Sequence, residues 1–260
     1  MEERRKPLPR RAGDGEADGI IEGRNAVTEA LRAGTPIDKV YIARGETDAS
    51  LGHIASAAKD RGIAVVDCDR RKLDYMSVTH SHQGVIAVAA VREYASVDDI
   101  LKAAADKGEP PLIVVCDELS DPHNLGAVIR TAECAGAHGV IIPKRRSAGL
   151  TAIVAKTSAG AVSHVPVARV ANLTACLKEL KEAGVWVFGT AAGARTSLYQ
   201  ADLKGPAAIV IGNEGDGMGR LVSETCDVLV SIPMKGKLNS LNASAAAAIL
   251  LYEAVRQRLG

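Results

Sequence analysis

From residue 112 to the end of the chain, short apolar runs alternate with segments whose apolar residues recur at the spacing of a helix. The runs are almost continuous in Val, Ile and Leu, which is typical of strands buried on both faces of a parallel sheet. The predicted strands span residues 112–116, 140–142, 165–170, 185–188, 208–211 and 228–232. Helices are predicted between most of them, including 125–135 and 173–182. The pattern therefore predicts an α/β fold built on a parallel sheet.

A smaller α/β unit is predicted for residues 20–91, with helices at about 24–31 and 51–61 and strands at 40–42, 64–66 and 85–91. Residues 1–19 are polar and lack apolar periodicity, so a disordered, solvated tail is predicted, with loose contact to phosphate as the alternative. Residues 92–110 are predicted to be a linker with a short helix that is capped by Ser96 and ended by Gly108. Residues 111–260 then form the larger domain.

Composition restricts the class of protein without identifying it. The chain has 260 residues, of which 47% are hydrophobic, and a formal net charge of +1, so any surface for an acidic partner must be local. No apolar run reaches the length of a membrane span, and the N-terminus lacks the apolar segment of a signal peptide, so we expect a cytoplasmic protein without membrane contact. The five cysteines lack C-x-x-C spacing and are predicted to be buried thiols. No metal site is expected, because His80 and His82 have no third ligand nearby in the sequence.

Three loops follow strand ends in the larger domain. They span residues 121–130, 212–219 and 235–244, and the last of them leads into the final helix. In open parallel sheets, ligands bind beyond the carboxyl ends of the strands, where these loops lie. The four glycines of the second loop allow the backbone to approach a ligand closely. A dinucleotide site is the main alternative for this loop, but Arg220 stands where G-x-G-x-x-G requires its third glycine.

In order and spacing, the three loops resemble the three signature motifs of the SpoU/TrmH family of RNA ribose 2′-O-methyltransferases, within the knotted SPOUT superfamily. The resemblance begins near Ile20, because Gly23-Arg24-Asn25 and Ser81-His82-Gln83-Gly84-Val85 are similar to parts of the L30e-like substrate-binding domain of many members. It implies a C-terminal SPOUT domain with a trefoil knot, S-adenosylmethionine as the cofactor and RNA as the partner.

The resemblance also implies roles for individual residues. The positions that match the family's catalytic residues are Asn124, Arg130, Glu214, Ser240 and Asn242. The residues expected to hold the cofactor, largely through backbone groups, are Thr190, Gly212, Ile232 and Leu241. An arginine is normally always charged, so we expect Arg130 to position phosphate and oxyanion rather than to act as a literal base. The basic residues expected to contact RNA are Arg24, Lys144, Arg145 and Arg146, and a solvated turn is the alternative for the last three.

The two-domain arrangement is most similar to family members that methylate a guanosine in the peptidyl-transferase region of 23S rRNA. A transfer-RNA ribose methyltransferase and a thiostrepton-resistance-like adenosine methyltransferase are alternatives within the family. A non-catalytic RNA-binding scaffold is the alternative from another class, and the five intact catalytic-type positions argue against it. No residue of the sequence decides which base is recognised.

The final helix is expected to take part in assembly. Its apolar residues at near-helical spacing are Ala243, Ala247, Leu250, Leu251, Ala254 and Leu259. One face is expected to cover the sheet, while small residues on another face allow a second helix to approach closely. Because family members dimerise through the knotted region, a twofold homodimer is predicted, with Leu251 and Val255 at its interface. Packing of the second face against the chain's own helices is the alternative.

Overall fold

The computed structural model describes residues 19–45, 48–213 and 215–260, which divide into two compact units at the peptide bond between Val91 and Arg92. The predicted tail, apart from Gly19, lies outside the described residues. In the described part of the chain, no helix is both long and apolar enough to cross a bilayer.

The first unit is a four-stranded mixed sheet with three helices. Its strands are β1 (Ile20–Glu22), β2 (Ile37–Ala43), β3 (Ala64–Cys68) and β4 (Val85–Ala89). Its helices are α1 (Arg24–Arg32), α2 (Ala49–Asp60) and α3 (Arg70–Met76). The strand order is β1-β4-β2-β3, and only the β2–β3 pair is parallel. The predicted elements are present, but β1 and α3 were not predicted because three and seven residues are too few to show a period.

The second unit is a seven-stranded sheet covered by helices. Its helices are α4 (Val97–Lys107), α5 (Pro122–Cys134), α6 (Ala152–Thr157), α7 (Leu173–Glu182), α8 (Arg220–Thr225) and α9 (Ala243–Leu259). Its strands are β5 (Leu112–Cys116), β6 (Gly139–Pro143), β7 (Val167–Val170), β8 (Trp186–Thr190), β9 (Thr196–Ser197), β10 (Ala207–Ile211) and β11 (Val228–Ser231). Every pair is parallel, in the order β7-β6-β5-β10-β8-β11-β9, which confirms the predicted parallel α/β sheet.

Residues 92–110 are part of the second unit, so their prediction as a linker is wrong. Ser96 and Asp99 form a capping box that starts α4, and Gly108 ends it in the left-handed conformation as predicted. The apolar face of α4 is buried through Ile100, whose side chain belongs to the core over the sheet. Just before α4, Ala95 forms a parallel bridge with Ala168 of β7. Burial of this apolar face attaches the helix to the second unit. The short length of the helix and its polar flanking residues gave no indication of this attachment.

The final helix α9 is capped by Asn242, and it faces the core differently from the prediction. Leu251 is fully buried within its own unit, so it cannot lie at an interface between folded copies. Leu259, predicted on the apolar face, is the last residue of the helix and is 84% exposed. The side chains exposed along the outer face are instead Ala245, Tyr252, Arg256 and Leu259.

Helix α5 packs very closely against the segment that ends α6. A Cβ atom at Gly126 would lie 1.9 Å from Thr157 Oγ1 and 3.0 Å from the backbone nitrogen of Ser158. Glycine is therefore required at this point of the first motif, because any side chain would force the two helices apart. The crossing fixes the position of α5 relative to the sheet.

Candidate active site

A cavity of about 460 Å³ opens at the carboxyl ends of three neighbouring strands. All four residues predicted to hold a cofactor line it: Thr190 at the end of β8, Gly212 after β10, Ile232 after β11 and Leu241 before α9. They converge because β10, β8 and β11 are adjacent and parallel, so their carboxyl ends meet at one edge of the sheet. The volume is typical of a site for a small organic molecule.

The cavity combines apolar side chains with backbone groups. Ser240, the predicted catalytic serine, is in its wall. The prediction missed the methionines Met218 and Met234, together with Asn239, Ala243 and Ala246. The methionines carry no local signal that separates a lining residue from a core residue, since both are apolar side chains next to a strand or loop. Asn239 precedes the predicted serine directly and could have been inferred from the same polar loop.

The glycine-rich loop that forms one wall is closed by its own hydrogen bonds. The backbones of Asn213 and Gly217 exchange two hydrogen bonds, of 3.0 and 3.2 Å, in an antiparallel bridge. Inside the turn, Asn213 Oδ1 accepts from the N–H groups of Gly215 and Asp216 at 2.9 and 2.8 Å. Gly217 has φ +73°, a conformation that favours glycine. The predicted catalytic Glu214 lies at this turn in the sequence but outside the described residues.

The first and third motifs are joined by a hydrogen bond between their asparagines. Asn242 Nδ2 donates to Asn124 Oδ1 at 2.9 Å, across 118 residues of sequence. Asn242 is also the N-cap of α9, with Oδ1 accepting from Ser244 N–H at 3.0 Å. Asn124 is buried in the first turn of α5, where Asp121 caps the helix. The structure therefore brings these two predicted catalytic residues together and gives both a part in holding the motifs in register.

Arg130 lies two turns along α5, with an exposed side chain. Within the described residues it forms no side-chain hydrogen bond or ion pair, and it is not in the wall of the cofactor-sized cavity. Its guanidinium is thus available to a ligand at the surface of the unit. The exposed position of Arg130 agrees better with contact to a phosphate of a bound ligand than with contact to a molecule inside the cavity.

A second cavity, of about 340 Å³, lies on the other side of the glycine-rich loop. Asn213 and Gly215 line both cavities, so the loop is the wall between them. The second cavity is also lined by Arg146 and Glu118, which form an ion pair of 3.1 Å and both have φ +55°. Of the predicted RNA-binding residues in this region, Arg146 therefore borders a cavity next to the loop. Lys144 is half-buried and Arg145 is exposed.

Arg24 of the first unit holds a loop in place. Its Nε donates to the carbonyl of Gln83 at 3.0 Å, its backbone N–H donates to Gln83 Oε1 at 3.1 Å, and its guanidinium pairs with Asp48. The side chain keeps 31% of its surface exposed. Arg24, predicted to contact RNA, therefore stabilises the loop of residues 81–84 through Gln83. A contact to RNA would be made by the part of its side chain that remains exposed.

The loop between α3 and β4 is held at one end by the half-buried Glu22 and at the other by the buried His82. Glu22 accepts hydrogen bonds from Ser77 Oγ, from the N–H groups of Val78 and Thr79, and from Thr79 Oγ1. Burial opposes ionisation of Glu22, but these bonds outweigh it and lower its pKa. At the other end, His82 is buried, and its Nδ1 accepts from Gly84 N–H at 3.0 Å, so Nε2 carries the proton and donates to Asp74 at 2.9 Å. His82 is thus a structural histidine.

The five cysteines differ in how far they are buried. Cys68, Cys116 and Cys176 are buried, Cys226 is half-buried, and Cys134 is exposed at the end of α5, so the prediction of a buried thiol is wrong there. Burial raises the pKa of the Cys116 thiol to about 12 and that of Cys176 to about 11, which leaves both protonated. Among the residues that the structure describes, no three His, Cys, Asp or Glu side chains are grouped so as to hold a metal ion.

Comparison with known proteins matches both units to families. Residues 111–252 match the SpoU rRNA Methylase family, and residues 20–95 match the family described as RNA 2′-O ribose methyltransferase substrate binding. The chain is 51% identical over 238 residues to YacO of Bacillus subtilis, a protein assigned to the TrmH family of tRNA/rRNA methyltransferases. The match covers 92% of this chain and 95% of YacO.

Solved structures agree with the sequence relatives. The SpoU methyltransferase AviRb of Streptomyces viridochromogenes, in complex with AdoMet, is 27% identical with a TM-score of 0.59, covering 92% of this chain and 90% of AviRb. A solved RNA 2′-O ribose methyltransferase is 30% identical with a TM-score of 0.54, covering 93% and 89% of the two chains. With both of its units matched and its three motifs at one edge of the sheet, the chain belongs to the SpoU/TrmH family of RNA 2′-O-ribose methyltransferases.

Proposed function

We propose that the chain transfers the methyl group of S-adenosylmethionine to a ribose 2′-hydroxyl of RNA, and that the cofactor occupies the cavity at the ends of β8, β10 and β11. The observation that carries this proposal is the convergence of Thr190, Gly212, Ile232 and Leu241 on one cavity. Apolar side chains suit the adenosine, and loop backbone groups suit its polar atoms. The AdoMet complex of the related AviRb supports the same choice.

When bound, the cofactor would supply a methyl group already activated by its sulfonium and would leave as S-adenosylhomocysteine, while the hydroxyl proton passes to water. The protein's task is therefore to align the hydroxyl with the methyl group and to help the hydroxyl lose its proton. Ser240, in the cavity wall, is placed to hydrogen-bond a group that enters the cavity. The Asn124–Asn242 bond keeps the first and third motifs at a fixed separation. Arg130 holds the neighbouring phosphate and the developing oxyanion, since its charge is permanent. We propose that Glu214, at the turn of the glycine-rich loop, is the acidic residue that takes part in catalysis.

For the target we propose a guanosine of 23S rRNA, with a transfer-RNA ribose and an rRNA adenosine as alternatives within the family. The test begins with calorimetric titration of the purified protein with S-adenosylmethionine. The protein is then incubated with cofactor and total RNA from a strain that lacks the gene. The 2′-O-methyl groups are mapped in this RNA before and after the incubation. One new ribose methylation that depends on the protein supports the function and identifies its target. No binding and no new methylation would refute the function.

We further propose that α3 and the loop after it form the RNA-contacting face of the first unit, which we take to have the L30e-like fold. Tyr75 and Val78 are 68% and 54% exposed, beside the exposed residues Arg70 and Arg71. Exposed aromatic and basic side chains together suit single-stranded RNA, which stacks its bases and presents its phosphates. Because Glu22 and His82 hold the loop, these side chains are already positioned for binding.

The face is tested in the full-length protein. Tyr75→Ala, and separately Arg70→Glu with Arg71→Glu, are expected to weaken RNA binding in a gel-shift assay at fixed salt by roughly tenfold. Lys59→Glu with Arg32→Glu is the matched charge-reversal control on the exposed surface of α1 and α2. Equal RNA affinity of both charge-reversal variants would contradict the assignment.

A homodimer through α9 and a trefoil knot of the C-terminal segment are also proposed. The dimer is supported by Ala245, Tyr252 and Leu259, which recur every seven residues along the exposed face of α9 and form one apolar stripe. Since Leu251 is buried, Tyr252→Glu is the informative variant, and it should convert a sedimenting dimer into a monomer.

The position of β11 beside β8 supports the knot, and a crystal structure with residues 228–260 passing outside every loop would refute it.

A further inference from the structure

One buried acid holds both ends of the glycine-rich loop. Asp117 directly follows β5 and is only 4% exposed. Its backbone N–H donates to the carbonyl of Ile211, the last residue before the loop, at 2.8 Å. Its Oδ2 accepts the N–H of Gly219, the last residue of the loop, at 2.7 Å and across 102 residues of sequence. The two ends of the loop are therefore fastened to the same residue of a central strand.

The described residues of the loop between these two ends are joined by hydrogen bonds of their own. Asn213 forms the backbone bridge to Gly217, and its side chain accepts two bonds inside the turn. Because these bonds lie within the loop, the position of the loop relative to the sheet depends on how its ends are held. One end continues β10 and is fixed by the sheet, whereas the Gly219 end is held by the carboxylate of Asp117.

The Gly219 end is flanked by Met218 and Val222, which pack against the core, and among the described residues its own N–H is held by the carboxylate of Asp117. Gly219 is the N-cap of α8 and has no side chain with which to cap it, and α8 itself has only six residues. Burial raises the pKa of Asp117 and the hydrogen bond from Gly219 lowers it, with a net rise. The carboxylate is therefore kept in an unfavourable environment, where an ionised acceptor makes a stronger bond to the N–H than a neutral one.

We propose that Asp117 is a positioning residue for methyl transfer: through its bond to Gly219 it fixes the wall that separates the two cavities. It lines neither cavity itself and acts through Asn213 and Gly215, which line both. Movement of this wall would change the cavity assigned to the cofactor and the neighbouring space at the same time. The inference rests on the proposed function, because it takes the larger cavity as the site of S-adenosylmethionine.

The test compares Asp117→Ala, which removes the acceptor oxygen, with Asp117→Asn, which keeps it and removes the charge. Calorimetry with S-adenosylmethionine and methylation of total RNA from a strain lacking the gene give Kd, KM and kcat for each full-length variant. We expect Asp117→Ala to raise the Kd for the cofactor roughly tenfold, and Asp117→Asn to restore it to within about threefold of the unsubstituted protein. Asp202→Ala is the control for loss of an acid that accepts a backbone N–H, since Asp202, which is exposed, accepts from Lys204 in a loop before β10.

A purely structural role would make cofactor affinity follow the melting temperature of the variants. The positioning role makes it follow the presence of the acceptor oxygen, although both substitutions remove the same buried charge. Unchanged cofactor affinity in a folded Asp117→Ala protein would overturn the inference, as would an Asn variant as weak as the Ala variant.

If Asp117→Ala does not fold, Gly219→Pro tests the same bond from the loop side. Proline removes the N–H, and the φ of −57° at Gly219 suits its ring. An unchanged Kd in this variant would likewise overturn the inference. Failure of the unsubstituted protein to bind the cofactor would instead refute the proposed function, so the two failures are distinguishable.

Discussion

The two ends of the seven-stranded sheet are built in opposite ways. At the carboxyl end, loops rich in glycine and small polar residues leave two cavities open between them. At the amino end, Arg258 of α9 donates to the carbonyls of Pro110, Pro111, Leu203 and Gly205 at 2.6–3.1 Å, which closes the entries to β5 and β10. Hydrogen bonds at the carboxyl end hold the loops around the cavities, whereas those at the amino end close the entries to the strands.

His138 shows the same closure at the amino end. It accepts the N–H of Leu112, the first residue of β5, through Nδ1 at 3.0 Å, so Nε2 carries the proton and donates to Glu109 at 3.2 Å. Burial lowers the pKa of His138, which favours this neutral form. The comparison teaches that residue type does not reveal role: Arg130 and Arg258 differ in what surrounds them, and we expect one to serve chemistry and the other stability.

The sharpest test of this difference is Arg130→Ala. We expect kcat to fall at least about a hundredfold, because the fixed positive charge near the reacting hydroxyl is lost. The cofactor Kd should stay within about threefold of the unsubstituted value, since Arg130 does not line the cavity. Calorimetry and methylation assays on the same preparation measure both quantities. Loss of cofactor binding in a folded variant would contradict the assignment.

Arg258→Ala should produce the opposite result. Removal of a guanidinium that donates to four carbonyls is expected to lower the free energy of unfolding by about 2–4 kcal/mol, measured by denaturant titration. Cofactor affinity of the folded variant should be unchanged. Arg256→Ala on the same helix is the control, because Arg256 is 68% exposed and donates to one side chain rather than to four carbonyls, so its removal should lower stability less. Equal losses in both variants would remove the distinction.

Asn242 tests the carboxyl end, where α9 begins. Asn242→Ala removes the cap of α9 and the bond to Asn124, and should lower the free energy of unfolding by about 1 kcal/mol. Asn242→Asp keeps the capping oxygen but loses the amide donor toward Asn124. We therefore expect the Asp variant to retain stability within about 0.5 kcal/mol and to lose methylation activity. An active Asp variant would show that the link between the motifs is dispensable.

Glu253→Gln should have the smallest effect, and the effect should depend on pH. Hydrogen bonds from Arg256 and Gln257 lower the pKa of Glu253 to about 2. Because the folded-state pKa lies below the unfolded one, the carboxylate stabilises the fold above the unfolded value, about 4.3, and this contribution is lost as the pH falls toward 2. The Gln variant should be less stable at pH 7, and the difference should shrink as the carboxylate of the unsubstituted protein is protonated at acid pH. A difference independent of pH would refute the ion-pair explanation.

Local patterns predicted the features that depend on neighbouring residues. Ser96 was recognised as a helix cap because a cap is a short-range signal, and its side chain accepts the expected backbone N–H group. Thr190, Gly212 and Ile232 were expected at the cofactor site from the family resemblance, and the rule for parallel strands explains why they line one cavity at the carboxyl ends of the strands. The roles of the predicted catalytic residues stay predictions.

Contacts between distant parts of the chain were not predictable. The bond from Gly219 to Asp117 joins residues 102 apart, and the bond from Arg258 to Pro110 joins residues 148 apart. Nothing in the neighbourhood of Asp117 distinguishes it from an ordinary acid after a strand, because its partner is specified only by the order of strands. The same reason explains why Leu251 was assigned to the wrong side of α9.

The place of β10 beside β5 has a consequence for biosynthesis. Leu112 of β5 pairs with Ala207 of β10, about 95 residues later in the chain. At translation rates of roughly 5–20 residues per second, β5 waits about 5–20 s for this neighbour to be made. During that time its Val- and Ile-rich edge has no strand to pair with on that side, and such edges associate with other chains. Messages that stall or end before the codon for Ala207 should therefore yield nascent chains that aggregate or require chaperones, whereas those that reach α9 should not.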